Sequence, residues 1–173
     1  EDDIEFREVE LRNLGDRDLD IELISAFDAT LADPRADEAH PAFSNLFVTA
    51  EWVAADEALL LSRKPRLATE RGLHAAHFLA SSDPQVVGLR VQTDRERWLG
   101  RNRDASRPLA EFPPFEAGAK VVAPVLEEAE AETAAAPALR LDTGLDPVCA
   151  ISVQLRIAAG GKAQLTFATA ASD

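Results

Sequence analysis

Several residue types are scarce or absent in this chain of 173 residues, and each gap narrows what the protein can be. Methionine and tyrosine are absent and the chain opens at Glu1, which fits a piece of a longer polypeptide. The single cysteine, Cys149, excludes an internal disulfide, and its apolar neighbours predict a small core residue rather than a nucleophile. No apolar run approaches the roughly 20 residues that a membrane span needs. No basic-then-apolar leader is visible, so no secretion signal is expected.

Basic residues are also few, since 18 Lys and Arg stand against 31 Asp and Glu and give a formal net charge of −13. Such a chain repels phosphate backbones and anionic lipids, so we expect neither nucleic-acid nor membrane-surface binding. The charge is uneven, because residues 1–40 are strongly acidic and residues 63–107 are net basic. The hydrophobic fraction of 46% is nevertheless sufficient for the core of one domain spanning residues 1–173.

A period of two dominates the hydrophobic pattern and predicts β-strands. Residues 4–11 and 19–31 read as two strands around the turn residues Asn13, Gly15 and Asp16, which predicts a hairpin. A β-bulge near Arg7 and Glu8 would bring the apolar residues of the first strand to one face. Residues 151–157 and 165–167 flank a Gly–Gly turn and predict a second hairpin.

The middle of the chain continues the same pattern with two exceptions. Further strands are predicted at 46–54, 58–64, 73–80 and 86–93, and residues 94–99 read as a single helical turn. Residues 116–138 are rich in Ala and Glu without an apolar stripe, which predicts an exposed insertion, either a short solvated helix or a disordered segment. The pattern as a whole predicts a mainly β, antiparallel sandwich with short helical insertions.

Five segments together resemble the glycoside-phosphorylase region of cyclic β-1,2-glucan synthases. Residues 40–51, HPAFSNLFVTAE, are similar to that family's HPAFSKLFVETE-like motif, and Ser62–Arg66, SRKPR, resembles its RRPR stretch. Residues 93–103, TDRERWLGRNR, resemble its TDR-x-R-F-L-G-R-G-R segment, and residues 145–147, LDP, precede a similar ending. The first 23 residues are similar to its paired strands. The departures are Asn45 for Lys, Ala50 for Glu, Trp98 for Phe and Asn102 for Gly.

This resemblance implies a galactose-mutarotase-like supersandwich, of which this chain would be the later half. It also implies that the catalytic acid and the phosphate site lie in an (α/α)6 barrel absent from this chain. The implied partners are that barrel, the upstream sandwich strands and β-glucan. The implied location is the cytoplasmic face of an inner-membrane synthase, in which this domain is a soluble module. Because half a sandwich would leave edges and an apolar face uncovered, we expect self-association of the fragment.

The candidate site residues are few. Sugar binding needs aromatic faces with polar groups around them, which points to Trp52 and Trp98, with Arg101 beside the second. His40, before Pro41, is expected to anchor a loop through its ring nitrogens or to contact a sugar. We expect no catalytic residue and no cofactor, and no metal, because a pair such as His74 and His77 on a strand points to opposite faces.

The leading hypothesis is a non-catalytic sandwich module that packs on the barrel and shapes its substrate cleft. One alternative is a free-standing glucan-binding module, for which aromatics at 6% of residues are few. The other is a mutarotase-like epimerase, which requires a His and a Glu converging in one cleft.

Overall fold

The structure, a computed structural model, describes residues 3–66, 70–81, 83–100, 102–106, 108, 121–122 and 138–173. Ten strands and three short helices lie within these ranges. The strands are β1 (Ile4–Arg12), β2 (Leu19–Asp28), β3 (Val48–Val53), β4 (Ala58–Arg63), β5 (Leu73–Ser81), β6 (Val86–Asp94), β7 (Val121–Val122), β8 (Leu139–Leu141), β9 (Pro147–Ile157) and β10 (Lys162–Ser172). The helices are α1 (Pro34–Ala39), α2 (Pro41–Asn45) and α3 (Arg95–Leu99).

Two sheets form the predicted sandwich. In the described residues, the first sheet has the strand order β1-β10-β5-β4-β3-β8, and the second has the order β2-β9-β6-β7. All pairings are antiparallel except that of β7, which lies parallel to β6. The mainly β, antiparallel architecture is therefore confirmed.

The core lies between the two sheets, and alternate residues of each strand fill it. Strand β9 is its centre, because Ile151, Val153, Leu155 and Ile157 are fully buried. Side chains such as Leu59, Leu61, Leu165 and Phe167 meet them from the first sheet. Burying an aliphatic or aromatic side chain of this kind contributes about 1.5–3 kcal/mol. Cys149 belongs to this core and burial raises the pKa of its thiol, as expected for an inert residue.

Neither predicted hairpin forms. Strand β1 pairs with β10, and β2 pairs with β9, so each turn carries the chain from one sheet to the other. The turn residues were identified correctly, but a period of two fixes only which face of a strand is apolar. It says nothing about which strand lies alongside, and here the packing of two sheets decides the pairing.

The two connections between the sheets, residues 13–18 and 158–161, are here called crossings. They lie side by side, and Asn13 bonds to both, so this end of the sandwich is named the Asn13 corner. The buried side-chain amide of Asn13 donates to the carbonyl oxygens of Arg17 at 2.7 Å, Ile157 at 3.0 Å and Ala158 at 3.1 Å. Its backbone N–H donates to the carbonyl of Gly161 at 2.9 Å. These bonds connect carbonyls of both crossings to one side chain at a partly buried corner, where backbone polar groups need partners.

The predicted β-bulge in β1 is absent, because β1 pairs with β10 in continuous register from Ile4 to Arg12. The irregularity lies instead in the pairing of β10 with β5, between Thr166 and Phe167. As a result, Ile4 and Phe6 stand on the outward face of the first sheet, 39% and 61% exposed. The predicted bulge would have buried these two apolar side chains, and their exposure was not predicted.

The helical turn predicted at 94–99 is confirmed as α3, whose N-terminus is capped by Asp94. Helices α1 and α2 were missed, although Asp33–Pro34 carries a recognisable start signal, an N-cap acid followed by proline. Of the predicted insertion at 116–138, only residues 121–122 and 138 are described, and residues 121–122 pair with β6. The rest lies outside the described residues, so the exposed insertion stays a prediction.

Candidate functional site

All three helices lie at one end of the sandwich, opposite the Asn13 corner. Helices α1 and α2 connect the end of β2 to the start of β3, while α3 follows the end of β6. The loop of residues 142–146, before β9, completes this surface, which we name the helical end. Four of the five segments that carry the family resemblance contribute to it, all except residues 1–23. Asn45 and Asp146, which bond across it, lie 101 residues apart in sequence.

Two phenylalanines and two arginines form a cluster beside α2, here named the Phe–Arg cluster: Phe43, Phe47, Arg63 and Arg66. The two rings meet edge to face with centroids 5.3 Å apart. The Arg66 guanidinium carbon lies 4.6 Å from the Phe43 centroid and 5.3 Å from that of Phe47, and Arg63 lies 5.6 Å from Phe47. All three distances fall within cation–π range. The cluster joins the HPAFSNLF segment to the SRKPR segment.

Backbone geometry fixes this cluster. The Arg63 guanidinium donates to the Ser44 carbonyl at 2.8 Å, and the Lys64 backbone N–H donates to the Phe47 carbonyl at 3.0 Å.

The Asp33 carboxylate caps α1 by accepting from the backbone N–H groups of Arg35 and Ala36. A cap of this kind contributes about 1 kcal/mol to a helix that is otherwise too short to persist.

Asp146 connects α2 and α3 at the centre of the helical end. Its carboxylate accepts from the Asn45 amide and from the Arg95 guanidinium, both at 3.4 Å. The Asp146 carbonyl accepts from the Arg95 backbone N–H at 3.0 Å, and Arg95 also lies 3.4 Å from the Asp28 carboxylate. Exposed ion pairs of this length contribute at most about 1 kcal/mol each. Their main effect is therefore to position α2 and α3 relative to each other.

The loop at 142–146 also packs tightly against the start of α3. Gly144 has φ of +57°, and a Cβ at this position would lie 2.6 Å from an Asp94 carboxylate oxygen. The same carboxylate accepts from the backbone N–H groups of Glu96 and Arg97. The glycine is thus required both by its backbone conformation and by the close approach of the capping residue.

The outward face of the first sheet is apolar across several strands. The residues that lie side by side in its register are Phe6, Ala168, Phe78, Ala58 and Val53 in one row, and Ile4, Ala170, Ala76 and Leu60 in the next. Sheets that are apolar on both faces are usually covered on both. No described part of the chain covers this face at Phe6, which is 61% exposed.

The predicted sugar contacts are distributed as follows. Trp52 lies in the core between the sheets and Trp98 packs on the outward face of β9, each 3% exposed. Neither indole has a free face on which a sugar could stack, and Arg101 lies outside the described residues. His40 is exposed and caps α2 through its backbone carbonyl, which accepts from the Phe43 and Ser44 N–H groups. The His40 ring makes no capping bond to α2, so it does not cap the helix through its ring nitrogens. Carbohydrate contact at these four positions stays a prediction.

The histidines make separate contacts. His74 is exposed and bonds the Ser62 hydroxyl at 2.9 Å, whereas His77 faces the core, as the opposite-face prediction requires. His77 is 1% exposed, and its Nδ1 lies 2.9 Å from the Ala168 carbonyl. Among the described residues, no glutamate is buried and none bonds a histidine, so the pair required by the epimerase alternative is not assembled there.

Neither a metal cluster nor a membrane-spanning helix occurs in the part of the chain that the structure describes. No group of three or more His, Cys, Asp or Glu side chains in these ranges is arranged to hold a metal ion. None of the helices within them is long and apolar enough to cross a membrane.

None of the four residues of the Phe–Arg cluster was predicted as a site from the sequence, although their segments carry the family resemblance. The signal was present, because two segments with arginine and phenylalanine both carried the family resemblance. What was missing was their contact, which depends on the antiparallel pairing of β3 with β4.

Comparison with known proteins decides the family. The family model of the glycosyl hydrolase 94 supersandwich domain matches residues 1–119, more than half of the chain. The chain belongs to this family. The supersandwich domain is also 30% identical, over 172 residues, to the cyclic beta-(1,2)-glucan synthase NdvB of Rhizobium meliloti (strain 1021). That alignment covers 99% of this chain but only 5% of the relative, so the supersandwich domain spans a small part of that protein's length. The resemblance drawn from the sequence is confirmed.

Proposed function

We propose that this supersandwich domain is a non-catalytic module of a cyclic β-1,2-glucan synthase, where it packs on a glycoside-phosphorylase barrel and helps to shape the substrate cleft. Membership of a supersandwich family and the similarity to a synthase support the module and its setting. In this proposal the domain lies at the cytoplasmic face of an inner-membrane synthase, next to upstream sandwich strands, and acts on no substrate by itself.

The observation that carries the proposal is the convergence of four of the five family-like segments at the helical end. The contacts between these segments are mostly exposed and individually weak, so they add little to the stability of the domain. Stability alone therefore does not explain why the segments are brought together. Phenylalanine and arginine are residue types that concentrate in the buried centres of protein interfaces. A surface that is built accurately from distant segments, yet contributes little to the core, is suited to meeting another domain.

The first test is enzymatic and uses the isolated chain. Incubated with β-1,2-gluco-oligosaccharides and inorganic phosphate, it is expected to form no sugar phosphate above a blank. The physical reason is that glycosidic cleavage needs a positioned acid of raised pKa, with a nucleophile or phosphate opposite it. Product formation that co-purifies with the chain through successive columns would refute the non-catalytic assignment.

The second test uses a synthase that carries this domain. Asp146→Ala removes the carboxylate that holds α2 and α3 together, so we expect KM for the gluco-oligosaccharide to rise at least about threefold, as for a displaced binding surface. Asp20→Ala is the matched control, because it removes an equally exposed acid, paired with Arg156, from a face distant from the helical end. An unchanged KM in Asp146→Ala, or the same rise in both variants, would count against the proposal.

A further inference from the structure

The Phe–Arg cluster is a local concentration of positive charge on an acidic chain. Arg63, Lys64 and Arg66 lie within four consecutive positions, whereas the whole chain carries −13. No carboxylate of the described residues lies within ion-pair distance of these three side chains. By contrast, most other arginines with described side-chain contacts, such as Arg95 and Arg156, are paired with an acid. The exposed Lys64 and Arg66 are therefore available to a group from outside, whereas half-buried Arg63 already donates to the Ser44 carbonyl and adds its charge.

The geometry around Arg66 favours a planar anionic group. Stacking over two phenylalanine rings occupies the face of a guanidinium and leaves its N–H edges for an acceptor. A carboxylate matches that edge with two parallel hydrogen bonds, and such charge-assisted pairs are about twice as strong as neutral ones. The ring stack also restricts the arginine before any ligand arrives, which lowers the entropy lost on binding.

Apolar surface adjoins these charges. Phe43 is 44% exposed and Leu46 is 57% exposed, and both lie on or directly after α2. Arg63 and Arg66 also line a shallow pocket of about 270 Å³, together with aliphatic side chains such as Leu31 and Leu73. Two acids, Asp33 and Glu70, line it as well, but the Asp33 carboxylate caps α1 and the Glu70 carboxylate accepts from the Arg66 backbone N–H at 2.7 Å. This volume is slightly below the roughly 300 Å³ at which small-molecule sites begin, and it suits one protruding side chain better than a whole ligand.

We propose that the Phe–Arg cluster, with Lys64, is a docking site for an acidic protein segment that presents a carboxylate to Arg66 and an apolar side chain to Phe43 and the adjoining pocket. The proposal deepens the proposed function, and rests on it for the statement that the helical end meets a partner domain. Charge complementarity selects the occupant, because a neutral or basic segment would leave Lys64 and Arg66 without partners at a desolvated contact.

The test selects peptides without assuming their sequence. A phage-displayed library of random short peptides is panned on the wild-type chain, with counter-selection on the double variant Lys64→Gln/Arg66→Gln. Both substituted side chains are exposed, so the fold is expected to persist, which circular dichroism and thermal melting of the variant check. Selected peptides are expected to contain at least two Asp or Glu residues beside an aliphatic or aromatic residue.

Affinities of a synthetic selected peptide then measure the contribution of the charges. We expect the Kd to rise about tenfold or more in Lys64→Gln/Arg66→Gln and in Phe43→Ala. The matched control Arg12→Gln/Arg17→Gln, with the same change in charge at the other end of the sandwich, should change Kd less than about twofold. Affinity should also fall with added salt.

Three results would overturn the docking site: selected peptides without an acidic bias, equal selection on the double variant, or full displacement of the peptide by millimolar inorganic phosphate. The last would identify a site for small oxyanions instead. These outcomes are independent of synthase kinetics. A domain that binds acidic peptides at this cluster while Asp146→Ala leaves KM unchanged would keep the docking site and refute the proposed function.

Discussion

At the residue scale, His77 shows how far a single side chain can be understood from the fold. Its Nδ1 lies 2.9 Å from the Ala168 carbonyl, which can only accept, so Nδ1 carries the proton. Its Nε2, 3.1 Å from the Ser25 hydroxyl, therefore accepts from that group. Burial lowers the pKa of His77, and the nearby Arg7 charge lowers it further. Strand parity predicted that His74 and His77 face opposite sides of the sheet, but not that His77 faces the core, nor its partners on β2 and β10.

This arrangement predicts a pH dependence of stability. The folded-state pKa is below the unfolded value of about 6.5, so the unfolded chain binds a proton first as the pH falls. His77 contributes fully to the free energy of unfolding above the pKa of the unfolded chain. This contribution is lost as the pH falls from there through the folded-state pKa. Within this range the free energy of unfolding falls by up to about 1.4 kcal/mol for each unit by which the pH is lowered.

Urea unfolding between about pH 7.5 and pH 5.5 measures this slope. His77→Gln should abolish most of it, whereas the control His74→Gln, on an exposed ring, should retain it. A slope that is unchanged in His77→Gln would show that other groups cause the dependence.

At the element scale, strands β1 to β6, β9 and β10 were all predicted from the sequence, because alternation of apolar and polar residues identifies a half-buried strand directly. It did not predict which strands pair, since both turns carry the chain between sheets. It also missed α1 and α2, which are too short to show an apolar period. Their start signals are local, but their positions depend on contacts with distant segments, as at Asp146.

The loop before β9 gives a prediction at this scale. Gly144→Ala must place a Cβ at positive φ and against Asp94, so it should disturb the cap of α3 as well as strain the backbone. The control is Gly160→Ala, which also has positive φ but no atom within 4 Å of the added Cβ. We expect a loss in free energy of unfolding of about 1 kcal/mol for the control and about 2–3 kcal/mol for Gly144→Ala.

Melting temperatures check the difference, since about 1 kcal/mol shifts Tm by roughly 2–4 °C for a domain of this size. Equal losses in the two variants would mean that the Asp94 contact is relieved at no cost. A larger loss in Gly160→Ala would contradict the packing described for the helical end.

At the scale of the whole molecule, the outward face of the first sheet exposes apolar side chains such as Phe6, and the helical end exposes Phe43 and Leu46. The outward face agrees with the expectation of self-association, which stays a prediction that light scattering over a concentration series can check. The family and the sandwich could be predicted from sequence because collinear segments are specific. The gathering of those segments at one end could not, because it arises from long-range pairing that no local pattern encodes.

The proposed function requires that the helical end is the surface by which this domain meets a phosphorylase barrel. Hydrogen exchange of the chain, alone and mixed with such a barrel from a synthase of this family, tests it most directly. The account predicts slower exchange at residues 40–47, 63–66, 95–99 and 142–146, with no change at the Asn13 corner. Protection confined to the Asn13 corner and the strands around it, or no protection at saturating barrel, would contradict the account.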